Sequence, residues 1–179
     1  MRSGTVLLCA ACIFSSLMCA CSNSLRPRPG QTVPPVTTAA YTETAAADIS
    51  VMDSEGRSVL LSDYLGTPVL LKFWASWNTR STDELPALQR AYNLYGEDIA
   101  FLIVNVTDGT RETQQSAQAF LDEQGYTFPV LFDHDGAAAL TYGAGERPVT
   151  VFIDADGFIV TLSQGEIAED ALLFGLRLL

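Results

Sequence analysis

Asn78, Arg80, Ser81 and Glu84 lie together in one stretch, Leu70-Leu71-Lys72-Phe73-Trp74-Ala75-Ser76-Trp77-Asn78-Thr79-Arg80-Ser81-Thr82-Asp83-Glu84-Leu85-Pro86. Its first half is apolar and aromatic, the pattern of a buried strand. Its second half opens a helix, with Asn, Thr and Ser as capping types and Asp83 and Glu84 as first-turn acids. A side chain at such a junction sits on free backbone N–H groups and on the positive end of the helix dipole. That setting lowers the pKa of a thiol and suits any anion. This chain offers an amide and a hydroxyl there instead of sulfur. An amide is no nucleophile for thiol exchange, and a hydroxyl forms no disulfide.

The run Phe73-Trp74-Ala75-Ser76-Trp77, followed by Thr82-Asp83-Glu84-Leu85-Pro86, resembles the active-site segment of the membrane-anchored thioredoxin-like reductases of the TlpA/ResA group. That group reads F-W-A-x-W-C-x-x-C-x-x-E-[LF]-P. Aligned on Trp77 and Pro86, its two cysteines fall on Asn78 and Ser81, and its acidic residue, which assists proton movement, falls on Glu84. A second stretch, Gly145-Glu146-Arg147-Pro148-Val149-Thr150-Val151-Phe152-Ile153-Asp154-Ala155-Asp156-Gly157, resembles the group's G-x-x-x-P-T-T-F-x-I-D-x-x-G segment. The resemblance implies a cis-proline at Pro148, presenting the backbone of Arg147 edge-on to a passing extended peptide. It covers residues 48–179 and implies a thioredoxin-like α/β fold with extra N-terminal strands and a central insertion.

The four cysteines, Cys9, Cys12, Cys19 and Cys21, all lie in the first 21 residues. Residues 1–20 carry Arg2 and an apolar run from Val6 to Ala20, too short for a bilayer span of about 20 apolar residues; they read as a secretory signal peptide. Leu17-Met18-Cys19-Ala20-Cys21 resembles a bacterial lipoprotein cleavage site with Cys21 as the lipidated residue. With Cys21 capped by lipid, no free thiol remains to replace the missing pair. Residues 21–47 hold four of the eight prolines among Thr, Ala, Ser and Gln. This composition buries no core and is expected to form a tether reaching about 85 Å at roughly 3.3 Å per residue.

From Asp48 the chain reads as one domain. Ile49–Met52 and Val59–Leu61 flank the turn Asp53-Ser54-Glu55-Gly56 as a hairpin. The periodicity predicts a helix over 81–95, kinked or restarted at Pro86, with Leu88, Ala91, Tyr92 and Tyr95 inward. A continuous apolar run, Ile99–Val106, predicts a central strand covered on both faces. A second helix is expected over 110–124, a short strand over 129–132, a hairpin over 149–162 and a closing helix over 167–179. The overall class is a mixed sheet with helices on both faces.

Around the junction, Trp74 and Trp77 are expected to flank a groove closed by Pro148, with Arg80 and Arg147 facing each other across it. Two cations there would form an anion-friendly spot on a domain with seven Lys and Arg against twenty Asp and Glu, a net charge of −13. The alternative is two solvated arginines pairing with nearby acids. Glu84 has two readings: a retained acid/base group, or the acid of a capping box with Ser81. The sole histidine, His134, sits in the glycine-ended turn Asp133-His134-Asp135-Gly136 without further metal ligands, so no metal or cofactor is expected. The acidic balance argues against nucleic acid.

The resulting expectation is an exported, lipid-anchored domain on the outer face of a bacterial cytoplasmic membrane, or in a periplasm. Its work would be non-catalytic binding of a peptide or small anion. Two alternatives stand beside it: service in thiol–disulfide or antioxidant metabolism through a redox protein partner, and a chaperone-like or transporter-associated role.

Overall fold

The computed structural model describes residues 44–179; the signal peptide, Cys21 and residues 21–43 of the expected tether lie outside them. Seven strands form one sheet in the order β2-β1-β5-β4-β3-β6-β7. The first two are β1 (Ser50–Met52) and β2 (Ser58–Leu60), the expected hairpin, paired Val51 to Val59. Gly56 takes φ +78° in its turn, a conformation that favours glycine. A single 3₁₀ turn, Leu61–Tyr64, leads to the central strand β3 (Val69–Trp74), every residue of which is buried.

The helix expected over 81–95 is two helices. A single turn, α1 (Thr79–Thr82), is followed by α2 (Leu85–Tyr95), which restarts with Pro86 in its first turn. Proline has no N–H to lose there, since the first helical donors have no partner within the helix. Next come β4 (Ala100–Val106), α3 (Gln114–Gln124), β5 (Val130–Asp133) and α4 (Ala137–Thr141). The chain closes with β6 (Val149–Ile153), β7 (Ile159–Gln164) and α5 (Glu169–Leu176).

β3, β4 and β5 run parallel, while β1, β6 and β7 join antiparallel to their neighbours. The central insertion contributes a strand as well as a helix, because β5 pairs between β1 and β4. Alternation along β3 builds two cores. Leu71 and Phe73 face one side with Val104, Val151 and Ala139 of α4. Leu70 and Trp74 face the other, under Leu88 of α2, Leu121 of α3 and Leu172 of α5. Helices therefore cover both faces, as the uninterrupted apolar runs require.

α3 begins later than its sequence pattern suggests. Asp108 Oδ1 accepts the N–H groups of Thr110, Arg111 and Glu112, which holds 108–112 as a turn, and Thr113 then caps the helix through Ser116 N–H. At the start of the domain, residues 44–47 of the expected tether run along the sheet edge. Ala45 bridges Phe158, and Ile159 N–H donates to the Thr44 carbonyl at 2.8 Å.

Candidate functional site

β3 ends at Trp74, and the chain turns through Ala75, Ser76 and Trp77 into α1. Asn78 is the N-cap residue in extended conformation (φ −97°, ψ 102°), and its carbonyl accepts from Ser81 and Thr82 N–H at 2.9 and 3.0 Å. Its side chain does not cap the helix. Instead Nδ2 donates across the cleft to the backbone carbonyl of Glu146 at 3.1 Å. The helix start is thereby tied to the loop preceding Pro148. Ser81, the other junction residue, is buried at 1% exposure. Between these parts lies a tight cleft with about 10 Å³ of open space, lined among others by Trp77, Asn78, Ser81, Val106, Arg147 and Pro148.

The two tryptophans divide. Trp77 is 39% exposed at the rim, with the Arg111 guanidinium 4.2 Å above its ring. Arg111 is steadied by Asp108 Oδ2 at 2.9 Å. The backbone N–H groups of Glu112 and Thr110, with Arg111 beside them, hold the Asp108 carboxyl well below the usual carboxylate range. The result is a flat aromatic–guanidinium platform. Trp74 is only 1% exposed; it packs on Phe120 at 6.1 Å and touches the cleft with one edge, and its Nε1 donor has no partner among the described residues. Trp74 is core, and Trp77 is surface.

Beneath the cleft lies a buried ion pair. Lys72, mid-strand in β3, donates through Nζ to Glu84 Oε2 and to Thr150 Oγ1, the latter at 3.1 Å. Glu84 Oε1 accepts Ile167 N–H at 2.5 Å. This corrects the capping-box reading: the Glu84 side chain turns inward to Lys72 and Ile167, not back to Ser81. Ser81 N–H is already bonded to the Asn78 carbonyl, and the core ammonium gives the carboxylate a charge-assisted partner. Burial pushes the Glu84 carboxyl up and the Lys72 ammonium down, each against the pull of its partner. A second buried carboxylate, Glu112, accepts Ser76 N–H at 2.9 Å, Ser76 Oγ–H at 2.7 Å and Asn105 Nδ2–H at 3.1 Å. It fastens the β3–α1 turn to the end of β4.

The two arginines are both exposed, and neither forms an ion pair among the described residues. Arg147 lines the cleft and Arg80 does not. The long helix begins only at Leu85, so one turn of helix, with a correspondingly small dipole, stands at the junction. Among the described residues no group of three or more His, Cys, Asp or Glu is placed to hold a metal ion.

Residues 42–162 match the AhpC/TSA family. The chain belongs to that family. It is 31% identical over 134 residues to the thiol-disulfide oxidoreductase ResA of Geobacillus thermodenitrificans, covering 74% of this chain and 75% of that protein. It is 32% identical over 124 residues to the thioredoxin-like protein YneN of Bacillus subtilis, covering 69% and 72%. Among solved structures, the exposed lipoprotein thioredoxin of Streptococcus pneumoniae superposes with a TM-score of 0.63 at 33% identity, covering 74% of this chain and all of that one. The thioredoxin-like fold and the kinship with ResA-type proteins, both expected from the two motifs, are thus established.

The two motifs single out neither Lys72 nor Glu112. A lone lysine within an apolar strand run is the available signal for Lys72, since a buried ammonium needs a carboxylate. Glu112 carried no such mark, because it lies in a polar loop and only the tertiary fold turns it inward.

Proposed function

We propose that this domain is a non-catalytic recognition module that holds an extended peptide segment bearing an acidic side chain. The observation that carries the proposal is the occupancy of both junction positions. Asn78 and Ser81 stand where the related reductases are expected to have cysteines, and the Asn78 amide is spent on the Glu146 carbonyl. The sequence beyond residue 21 contains no cysteine from which a disulfide could be built. What remains at the surface suits recognition. The Trp77–Arg111 platform offers a face to stack on, and Arg147 offers a carboxylate partner beside it.

The chain is further proposed to be exported and anchored through lipid on Cys21. Support comes from the leader pattern and from the pneumococcal relative, whose description is an exposed lipoprotein. Incorporation of a labelled fatty acid, lost in Cys21→Ala, tests the anchor.

Insulin reduction by the purified protein tests the central claim: no turnover above a heat-treated control is expected. Titration with extended acidic peptides should perturb the NMR signals of Trp77, Arg147 and Gly145 and leave those of β1 and β2 unmoved. Unaided dithiol turnover defeats the proposal. A second reading, service to a redox partner, is favoured by the thiol-disulfide oxidoreductases among the relatives. It predicts capture of a thiol protein that Pro148→Ala releases.

A further inference from the structure

A second hollow beside the central strands lies away from the cleft. β3 runs from Val69 to Trp74, and β6 pairs with it so that Phe73 meets Val149 and Val69 meets Ile153. Trp74 and Pro148 mark the cleft end. At the other end, about 17 Å away along the strands, a cavity of about 210 Å³ opens between residues 45–48, the 3₁₀ turn and the β6–β7 turn. That volume is smaller than a drug-sized pocket and suits only a compact molecule.

The floor is apolar: Leu61, Val69 and Ile153 are all buried. At the mouth stands Leu65, 65% exposed, with its Cδ2 3.0 Å from where a Cβ on Gly157 would project. Three carboxylates, Asp48, Asp154 and Asp156, line the same cavity, and among the described residues no Lys or Arg does. Asp48 Oδ1 accepts Ser62 N–H, and Asp154 Oδ1 accepts the N–H groups of Asp156 and Phe158. The second oxygen of each receives no donor among the described residues, and none of the three acids forms an ion pair there. An apolar hollow lined by uncompensated negative charge is complementary to one kind of small molecule. An organic acid would meet repulsion, and a neutral hydrocarbon would leave the carboxylates unused.

We propose that this cavity binds a compact hydrophobic organic cation, an amine or quaternary ammonium whose apolar body rests on Leu61, Val69 and Ile153 and whose charge faces Asp48, Asp154 and Asp156. The site is independent of the cleft and of the function proposed for it.

Three probes of similar shape test it on the full chain by calorimetry and NMR: 3-phenylpropylammonium, 3-phenylpropanol and 3-phenylpropionate. The ammonium should bind saturably and shift the amides of Ala46, Tyr64 and Gly157 while leaving Asn78 and Arg147 still. The alcohol should bind about tenfold more weakly or worse, and the carboxylate not at all. Asp48→Asn with Asp156→Asn should weaken the ammonium about tenfold and leave the alcohol unchanged. Ala46→Phe should fill the hollow and abolish both. Circular dichroism of each variant checks the fold. Equal affinity for ammonium and alcohol, shifts at the cleft in place of the cavity, or no saturable binding by a folded protein overturns the proposal. So does a cavity already filled by the chain's own residues upstream of 44.

Discussion

Lys72→Met is the most incisive perturbation of this fold. Lys72 and Glu84 are 1% and 5% exposed, and among the described residues the lysine is the only cation within hydrogen-bonding reach of that carboxylate. Without it, Glu84 keeps a single donor, Ile167 N–H. Breaking a buried ion pair from one side costs about 3–5 kcal/mol, because the surviving charge is left desolvated. A domain of this size has about 5–15 kcal/mol of stability in all. Urea unfolding at pH 7 should therefore show a large fall in midpoint, and the melting temperature should drop by about 10–20 °C. The double replacement Lys72→Met with Glu84→Gln should recover most of the loss, since no buried charge remains and Ile167 N–H keeps an acceptor.

The dependence on pH provides a second readout. Burial already lifts the Glu84 carboxyl above its ordinary value of 4.5, and removing the ammonium lifts it further. A carboxyl raised in the folded state takes up its proton there before the unfolded chain does. Stability is then lost as pH rises above 4.5 and regained as it falls back. The penalty of Lys72→Met should be greatest near neutrality and shrink on acidification. A cost below about 1 kcal/mol at pH 7, or one that does not change between pH 7 and pH 5, would refute the argument.

Other perturbations follow from the same structure. Restoring sulfur at both junction positions, Asn78→Cys with Ser81→Cys, should produce insulin-reducing activity that neither single replacement produces; absence of activity in a folded double variant would show that more than sulfur has been lost. Gly175→Ala places a Cβ 2.4 Å from the Phe152 ring, too close for contact, so α5 or the buried ring must shift. Despite alanine's better helix propensity, a net loss of about 1–3 kcal/mol is expected in thermal or urea unfolding. The Tyr142 phenol, raised to about 12 mainly by burial and then by the nearby Asp48 charge, donates to the Ala47 carbonyl at 2.7 Å. The unfolded chain gives up this proton first, so stability should decline between pH 10 and 12, by up to about 2 kcal/mol after allowing for partial exposure. That alkaline slope should flatten in Tyr142→Phe.

Much of this architecture is legible in local pattern. The run Ile99–Val106 announces a strand covered on both faces, and β4 is found there with five of its seven residues buried. Pro86 announces a helix start, which lies at Leu85. What local pattern misses is where the fold sends each side chain. Glu84 looks like a capping acid when only its neighbours are considered, but Lys72, twelve residues earlier, claims it. Trp74 and Trp77 both border the cleft, but Trp74, at the end of the strand, is packed under α3, while Trp77, in the turn that follows, stands exposed at the rim. Arg80 and Arg147 appear to converge, but only Arg147 lines the cleft.

By itself the sequence determined the absence of cysteine after residue 21, the acidic balance of the domain, the order of strands and helices, and the two motifs that mark the family. These are properties of composition and short-range periodicity, which survive without knowledge of what packs on what. Tertiary structure alone decided the fate of the polar groups: Asn78 tied to Glu146, Glu84 buried on Lys72, Glu112 drawn beneath Ser76, and three aspartates left around an apolar hollow. A buried charge or amide must find its partner wherever the fold brings one, and that distance is not written in the spacing of residues.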